Sequence, residues 1–475
     1  MSKSTYVLGL RHALTTTVLT GLLLAACSKK EPTQSTYFDR TISPILTTSC
    51  VRTNTGAGCH VSTPKGNAFG NLDTSTFAGV DKRRDLLLDY GPYGQPAFLI
   101  KNIPNFAVEV QSFDGVKTSI TTDIKHAGGP IFDPTASAYQ TLRRWIENGA
   151  TANNAGLSPS TIVRQACATD VPRGTPGFDG NADPARPDFA TFRDRVNPTF
   201  RGTCAASNCH GNFANDLYLT CGDTPEQLRW NYFTASQYLG KSAEESELTR
   251  RPLAPAQGGS FHEGGIIFPT TADDGYQALL SWAKDHGPAD FGAIDPQLAF
   301  FAHKVQPILV KKGCMMLQCH SAAQFHDYRL RGGAGGSFSF SATRRNYELS
   351  LAQLSVESDD INASRLVRKN LFRPELANGS QGLLHRGGPL FEDFAGANAT
   401  GKACDDANAG AGYDYDNAPL DEIPPYCVVR EWHRRERDAR KLAPLSAIVY
   451  VKRSIAPGPD RAQDFDVYAP GAELH

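Results

Sequence analysis

The most regular hydrophobic pattern in the chain is a stripe of large side chains with a step of three residues. Side chains three residues apart share one face of a helix, so each stripe predicts an amphipathic helix with a buried face. Glycines at Gly149 and Gly287 follow the first two stripes and are expected to end those helices. The three stripes are Tyr139/Leu142/Trp145, Tyr276/Leu279/Trp282 and Tyr426/Val429/Trp432.

A second apolar pattern recurs well before each stripe. Two apolar residues four positions apart are followed by a proline two positions later, which predicts one helical turn with a buried face. Proline is expected to limit this helix and to turn the chain. The three lead-ins are Phe38/Ile42/Pro44, Phe192/Val196/Pro198 and Phe301/Val305/Pro307.

The longest apolar run lies near the start of the chain, from Ala13 to Leu24, after a basic stretch. It is too short to span a bilayer and ends in small residues, which indicates a secretory signal over residues 1–26. The ending Leu24-Ala25-Ala26-Cys27 resembles a bacterial lipobox, so Cys27 is expected to carry lipid and residues 27–37 to form a tether. Ser28 at the next position favours the outer membrane; the alternative is a plain signal peptide with a chance cysteine.

The amino-acid composition and net charge are those of an ordinary globular protein and do not indicate a particular function. The chain is 40% hydrophobic and 20% charged, as in an ordinary globular protein. Its net charge of −1 gives no indication of a nucleic-acid partner. The 43 glycines and 30 prolines predict many loops.

The chemistry follows each lead-in, where two cysteines occur and the second is directly followed by histidine. This arrangement is the sequence form of c-type haem attachment, in which two thioethers hold the porphyrin and the histidine binds iron. The three motifs are Cys50/Cys59-His60, Cys204/Cys209-His210 and Cys314/Cys319-His320.

A second histidine stands before each stripe, in the form His-x-Gly-Gly, at His126, His262 and His385. These three are expected to be the other axial ligands of iron. Methionine is the common alternative, but only Met1, Met315 and Met316 exist. Iron with two histidine ligands has no open position for a substrate, which favours electron transfer over catalysis.

Between the two histidines of each unit lies a stretch with apolar and basic residues. The basic side chains could face haem propionates, or they could belong to solvated helix faces. The stretches are 97–101, 246–251 and 364–369.

The eleven cysteines divide into three groups. Cys27 is the lipidation candidate, six belong to the histidine motifs, and four remain at Cys167, Cys221, Cys404 and Cys427. Because an exported protein enters an oxidising compartment, these four are expected to form two disulfides. Chain order suggests Cys167–Cys221 and Cys404–Cys427, although sequence cannot fix connectivity.

The repeats predict the organisation of the chain. Three haem domains are expected at 38–152, 189–290 and 296–440, with a linker at 153–188. The third carries an insertion at 393–425, and residues 441–475 form a tail with a β-like run at Ile448–Val451.

The order of lead-in, Cys…Cys-His, and His-x-Gly-Gly before Trp resembles the planctomycete-type cytochrome c domains of multihaem secreted proteins, in three copies from Phe38 to about Arg440. The resemblance implies a mainly α fold of three tandem cytochrome c-like domains with long irregular loops. It implies that His60, His210 and His320 are proximal ligands, and it matches His126, His262 and His385 to the distal position.

The spacing of the cysteines departs from that family. The family has two residues between the cysteines, whereas this chain has eight, four and four. The loop of eight, 51–58, is expected to bulge away from the porphyrin, which Gly56 and Gly58 make feasible. The first of the three haem sites therefore departs the most from the pattern.

The sequence thus favours an exported, membrane-anchored trihaem c-type cytochrome that exchanges electrons with redox partner proteins. Three alternatives stay open. The motifs could form Cys2His2 zinc sites. The chain could be a haem-free scaffold with local disulfides. It could also be the electron-accepting subunit of an oxidoreductase complex.

Overall fold

The computed structural model describes residues 35–51, 59–63, 66–287, 291–317, 319–322, 324, 326–371, 383–391, 404, 412–441, 451–452 and 473–474. The signal segment with Cys27, most of the tether, residues 52–58, most of the insertion and most of the tail lie outside the described residues. The chain is mostly helical, with 42% in helices and 6% in strands. This confirms the mainly α class.

The three repeats are called unit 1 (38–152), unit 2 (189–290) and unit 3 (296–440). In unit 1 the α-helices are α1 Ser43–Cys50, α2 Phe77–Asp81, α3 Arg84–Leu88, α4 Ala97–Ile100 and α5 Ser137–Glu147. In unit 2 they are α6 Asp188–Thr191, α7 Asn197–Thr199, α8 Pro225–Ser236, α9 Glu247–Arg250 and α10 Asp274–His286. In unit 3 they are α11 Pro296–Phe300, α12 Gln306–Lys311, α13 Phe340–Leu351, α14 Arg365–Asn370 and α15 Pro425–Arg440. Short 3₁₀-helices lie at Phe69–Asn71, Gly91–Tyr93, Pro255–Gln257, Ile361–Ala363 and Leu420–Glu422.

The lead-in prolines do not end the helices, contrary to expectation. Each lead-in is a π-helical turn that passes directly into an α-helix with proline in its first turn, where a missing N–H costs least. In each lead-in the N–H of the residue before proline donates to the carbonyl of the lead-in phenylalanine five residues earlier, which is the i→i+5 bond of a π-turn. The π-turns are Phe38–Ile42, Phe192–Val196 and Phe301–Val305, and unit 2 has another at Phe200–Cys204.

The stripes lie on α5, α10 and α15, and all nine of their side chains are buried, as predicted. In every unit the stripe tryptophan packs on the lead-in phenylalanine. The ring centroids are 5.7 Å apart for Phe38 and Trp145, 4.9 Å for Phe192 and Trp282, and 5.2 Å for Phe301 and Trp432. Since the lead-in helix runs into the cysteine pair, this contact holds the Cys…Cys-His motif of each unit against the helix that carries the stripe.

Regular β-structure is limited to two small antiparallel sheets among the described residues. Strands β1 Ala107–Gln111 and β2 Lys117–Thr121 form a hairpin in unit 1, with Ala107 opposite Thr121. Strands β3 Val451–Lys452 and β4 Glu473–Leu474 pair in the tail. Of the predicted β-like run, only Val451 lies within the described residues.

The hydrophobic side chains form two large cores rather than three. Side chains of units 1 and 3 belong to one continuous cluster, whereas unit 2 has a separate one. Tyr93 of unit 1, for example, donates its hydroxyl to the Val310 carbonyl of unit 3 at 3.0 Å. The expected tandem arrangement therefore contains one pair of units that are packed together.

From Ser160 onward, the predicted linker at 153–188 lies along unit 2, where the Ser160 N–H donates to the Ile266 carbonyl at 2.9 Å. A disulfide joins Cys167 to Cys221, and the Gln227 side chain donates to the Thr169 carbonyl at 2.7 Å. The second disulfide joins Cys404 to Cys427 at the start of α15. These are the two pairs that chain order suggests.

None of the helices in the described part of the chain is both long and apolar enough to cross a membrane.

Candidate metal centres

Each motif histidine is fixed to the first cysteine of its pair by the same backbone hydrogen bond. The histidine N–H donates to the cysteine carbonyl at 3.2 Å for His60 and Cys50, 3.1 Å for His210 and Cys204, and 3.0 Å for His320 and Cys314. The bond closes a loop with nine intervening residues in unit 1 and five in the others. The longer first loop therefore leaves its histidine in an equivalent place.

The ring of each motif histidine is oriented by a backbone carbonyl. Nδ1 lies 3.1 Å from the Phe69 oxygen in His60, 2.9 Å from the Leu217 oxygen in His210, and 3.0 Å from the Tyr328 oxygen in His320. A carbonyl only accepts, so a neutral ring carries its proton on Nδ1 and its lone pair on Nε2. This is the arrangement by which proteins orient histidine ligands of metals.

The second histidine of each unit lies in a four-residue turn formed by His-x-Gly-Gly. The N–H of the second glycine donates to the histidine carbonyl, at 2.8, 2.8 and 2.9 Å for Gly129, Gly265 and Gly388. The carbonyl of that glycine faces the histidine Nδ1, at 3.0, 3.1 and 2.8 Å respectively. Nε2 again carries the lone pair.

The structure explains why both of these positions in the turn are glycine. The second has a positive φ of 70°, 78° and 78° at Gly129, Gly265 and Gly388, which favours glycine. The first lies under the imidazole, since a Cβ would stand 3.1 Å from the His126 Cε1 at Gly128, 2.8 Å from that of His262 at Gly264, and 3.2 Å from that of His385 at Gly387. The sequence showed this motif but not its purpose, which is to hold the histidine ring.

The two histidine rings of each unit lie close to each other and nearly parallel. Their centroids are 6.2 Å apart for His60 and His126, 5.9 Å for His210 and His262, and 6.1 Å for His320 and His385. The interplanar angles are 12°, 12° and 18°. Parallel rings in direct contact are closer in this chain, at 4.2 Å for Phe213 and Tyr218. The histidine pairs are therefore separated by a constant gap.

The size of that gap fits one metal ion between two imidazoles. A metal–nitrogen bond of about 2 Å, with each ring centroid about 1 Å behind its nitrogen, gives a centroid separation of about 6 Å. Two protein nitrogens on opposite sides of an ion are the axial set of a haem, whose porphyrin supplies the other four. The donor set of every unit thus fits a haem iron.

The two histidines of the unit 2 pair are held in the neutral form that a metal ligand requires. In unit 2, burial lowers the pKa of His262 to about 4, and positive charge on His210 and Arg251 acts in the same direction. Burial likewise lowers the pKa of His210, again with help from the charge of Arg251. Both rings are therefore unprotonated at neutral pH.

Unit 3 repeats this electrostatic setting. Burial lowers the pKa of His320 to about 4, with positive charge on His326, His385 and Lys369 as further causes. Burial also lowers the pKa of His385, and Lys369 adds to the effect. In unit 1, burial lowers the pKa of His60, with contributions from His126 and Lys101.

One cation from each basic stretch acts on a histidine pair. Lys101, Arg251 and Lys369 occupy equivalent positions, directly after or at the end of α4, α9 and α14. The next residue in each unit, at Asn102, Pro252 or Asn370, accepts a backbone hydrogen bond from the segment that follows the distal turn. The basic stretches are thus placed where a cation could meet an anionic group of a cofactor.

All six motif cysteines carry free thiols. Burial raises the pKa of Cys50 and Cys314 to about 12 and that of Cys204 to about 11. The local disulfides of the scaffold alternative are therefore not formed. Within the described ranges, no group of three or more Cys, His, Asp and Glu side chains could hold a metal ion, so the Cys2His2 zinc site is not assembled there.

Sequence reasoning missed a capped helix that follows the proximal loop of each unit. Thr76, Thr224 and Ser339 are the N-caps of α2, α8 and α13, and each side chain accepts a backbone N–H three residues on. In unit 2 the pair Thr224 and Gln227 forms a complete capping box. The sequence signal for these caps is a Ser or Thr before a helix-forming run. Such a pattern occurs often in sequences, so by itself it does not single out these three helices.

The comparisons with known proteins give no further identification. No family model matches the chain, and neither the curated proteins nor the solved structures include a significant match to it.

Proposed function

We propose that this chain is an exported, membrane-anchored electron carrier that binds three haem c groups, one in each unit. The observation that carries the proposal is the threefold histidine pair with a constant gap of about 6 Å between ring centroids. A bound haem would supply an iron that changes its charge by one electron. Export and anchoring rest on the sequence pattern that ends at Cys27.

The residues of each unit have separate tasks in this proposal. The cysteine pair would hold the porphyrin edge, and the two histidines would bind iron from opposite sides through Nε2. The carbonyls that face Nδ1 fix the ring orientation and the tautomer. An iron held by two histidines of the protein would be suited to passing electrons rather than to binding a substrate.

A pyridine haemochrome assay on the purified full chain tests the proposal directly. We expect three covalently bound haems per chain. Two haems would identify the Cys50–Cys59 unit as the one that lacks the group, and none would reject the function. A catalytic subunit that co-purifies with the holoprotein would instead place the chain as the electron acceptor of a larger enzyme.

Ligand replacement tests the histidine assignment. The variant His262→Ala removes one axial ligand, so we expect unit 2 to bind carbon monoxide when reduced, with a change in the visible spectrum. His286→Ala is the matched control, because His286 lies in the same unit at the end of α10, outside the histidine pair. An unchanged spectrum for His262→Ala would contradict its assignment as a ligand.

A further inference from the structure

The segment that carries the distal histidine of unit 1 lies against the attachment motif of unit 3. The Asp123 N–H donates to the Lys311 carbonyl at 2.8 Å, and the Asp123 carboxylate pairs with the Lys312 ammonium at 2.8 Å. The Lys312 side chain is 1% exposed and that of Asp123 is 20% exposed, so the ion pair is mostly shielded from water. Asp123 stands three residues before His126 in the sequence.

The residue after Asp123, Ile124, adds an apolar contact between the same two segments. A Cβ at Gly313 would lie 3.4 Å from the Ile124 Cγ1, which means that Ile124 packs on the backbone of Gly313. Ile124 is two residues before His126, and Gly313 is directly before Cys314. Sites 1, 2 and 3 denote the proposed haem sites of units 1, 2 and 3. A proposed ligand of site 1 and a proposed attachment residue of site 3 are thus joined through the chain from Ile124 to His126, one van der Waals contact and the chain from Gly313 to Cys314.

The hydroxyl of Tyr93 supplies a second connection between units 1 and 3. Tyr93, four residues before α4, reaches the Val310 carbonyl of α12. The two sites therefore lie on opposite sides of one tightly packed interface.

Site 3 is also joined to site 2, through the loops that orient the proximal histidines. Arg331 and Asp216 form a two-pronged ion pair, with the Arg331 Nη2 2.9 Å from the Asp216 Oδ1. The next residue after Asp216 is Leu217, whose carbonyl orients His210. The residue before Arg331 is Leu330, whose N–H donates to the His320 carbonyl at 2.6 Å.

The cation of site 2 extends the same interface. The Arg251 guanidinium donates to the Gly333 carbonyl of unit 3 at 2.7 Å, and Arg250 donates to the Ala334 carbonyl at 3.1 Å. Every hydrogen bond and ion pair described here between the ligand-bearing segments of different units includes unit 3.

We infer that the three sites are connected in the order 1–3–2, with site 3 as the relay, and not in the order of the chain. This inference rests on the proposed function. Each transfer moves one electron between neighbouring sites, so that one site is oxidised while the next is reduced and no bond is made or broken. A one-electron donor protein and a one-electron acceptor protein would meet the two outer sites.

Variants with two remaining haems test this order by a spectroscopic measurement. The paired cysteines of one unit are replaced by alanine, as in Cys314→Ala with Cys319→Ala, to leave sites 1 and 2. The matched variants remove Cys50 and Cys59, or Cys204 and Cys209. Electron paramagnetic resonance of the oxidised proteins then reports magnetic coupling between the remaining irons, after the haem count has been measured.

We expect clear coupling in the variants that keep sites 1 and 3 or sites 2 and 3, and loss of coupling where only sites 1 and 2 remain. Equal or stronger coupling between sites 1 and 2 would overturn the order while leaving the proposed function intact. A haem count of zero in the unmodified chain would reject the function itself.

A milder variant covers the case in which a unit without haem fails to fold. Arg331→Gln keeps all six cysteines and all six histidines but breaks the ion pair with Asp216. We expect three haems per chain and weaker coupling between sites 2 and 3, with the coupling between sites 1 and 3 unchanged. An equal loss in both couplings, or no change in either, would contradict the assignment of this ion pair to the 2–3 connection.

Discussion

Unit 2 packs around a core of its own, whereas units 1 and 3 share a single core. The two regions contain the same motif, the same histidine geometry and the same contact between lead-in phenylalanine and stripe tryptophan. They differ in what surrounds these shared features: unit 2 is bounded by the Cys167–Cys221 disulfide and a wrapped linker, while unit 1 is packed against unit 3. Identical sites can therefore be placed in structural units of different size.

The largest expected effect concerns the tryptophan of each core. Trp282→Ala removes a fully buried ring and the donor that faces Asp188 at 3.0 Å, so we expect a loss of about 3–5 kcal/mol of stability. Scanning calorimetry of the holoprotein should show that Trp282→Ala lowers one transition, whereas Trp145→Ala and Trp432→Ala both lower another. A uniform shift of the whole profile by all three variants would contradict the two-core division.

The distal turn offers a comparison within the repeat itself. Gly264→Ala forces a Cβ to 2.8 Å from the His262 ring, so we expect a cost of about 1–3 kcal/mol and a disturbed ligand. Gly387→Ala should be milder, since the corresponding distance is 3.2 Å. The visible spectrum and the unfolding midpoint of each variant provide the measurement.

Gly129→Ala is the control for that experiment. Its φ of 70° makes alanine strained, but a Cβ there would meet open space. We expect a loss of about 1–2 kcal/mol without a spectral change, because the strain lies in the backbone alone. A spectral change as large as that of Gly264→Ala would show that backbone strain, not ring contact, disturbs the ligand.

The helix caps should have a smaller effect. Thr224→Ala removes the capping box of α8 in unit 2, and we expect a loss of about 0.5–2 kcal/mol. This loss should appear only in the calorimetric transition assigned to unit 2. Thr76→Ala removes the cap of the shorter α2 in unit 1 and should act only on the shared core. Effects on the opposite transitions would reverse the assignment of the two cores.

The smallest expected effect is a pH dependence of the interface between units 1 and 3. Burial alone would raise the pKa of Asp114, but hydrogen bonds from His303 and Ser112 outweigh burial and lower the pKa to about 2. The unfolded value is about 4, so the stabilisation is complete above pH 4 and is lost as the pH falls towards 2.

Denaturant midpoints measured from pH 5 to pH 2 test this dependence. We expect Asp114→Asn to reduce the change of the denaturant midpoint with pH for the core shared by units 1 and 3. The midpoint of the unit 2 transition should be unaffected. His303→Gln, which removes the partner at 2.8 Å, should have a similar effect. An unchanged slope in both variants would assign the acid sensitivity to other groups.

Much of the local structure could be predicted from sequence. The aromatic stripes mark α5, α10 and α15 because a step of three residues already specifies a helix face. The His-x-Gly-Gly pattern marks the distal turns, although only the structure shows that one glycine provides the positive φ and the other makes room for the ring. The lead-in prolines were misread as helix ends, because proline is tolerated in the first turn of a helix, where its missing N–H would have no partner within the helix.

The sequence by itself determined the mainly helical class and the threefold repeat, because both depend on patterns among residues that are close together in the chain. It also predicted the three histidine pairs, as proposed ligands. The neighbours of each unit were decided by tertiary structure alone. They depend on single contacts between distant residues, such as Asp123 with Lys312 and Asp216 with Arg331. Such pairs have no periodicity along the chain, so nothing in the order of the repeats indicated that unit 3 would form hydrogen bonds and ion pairs with both of the other units.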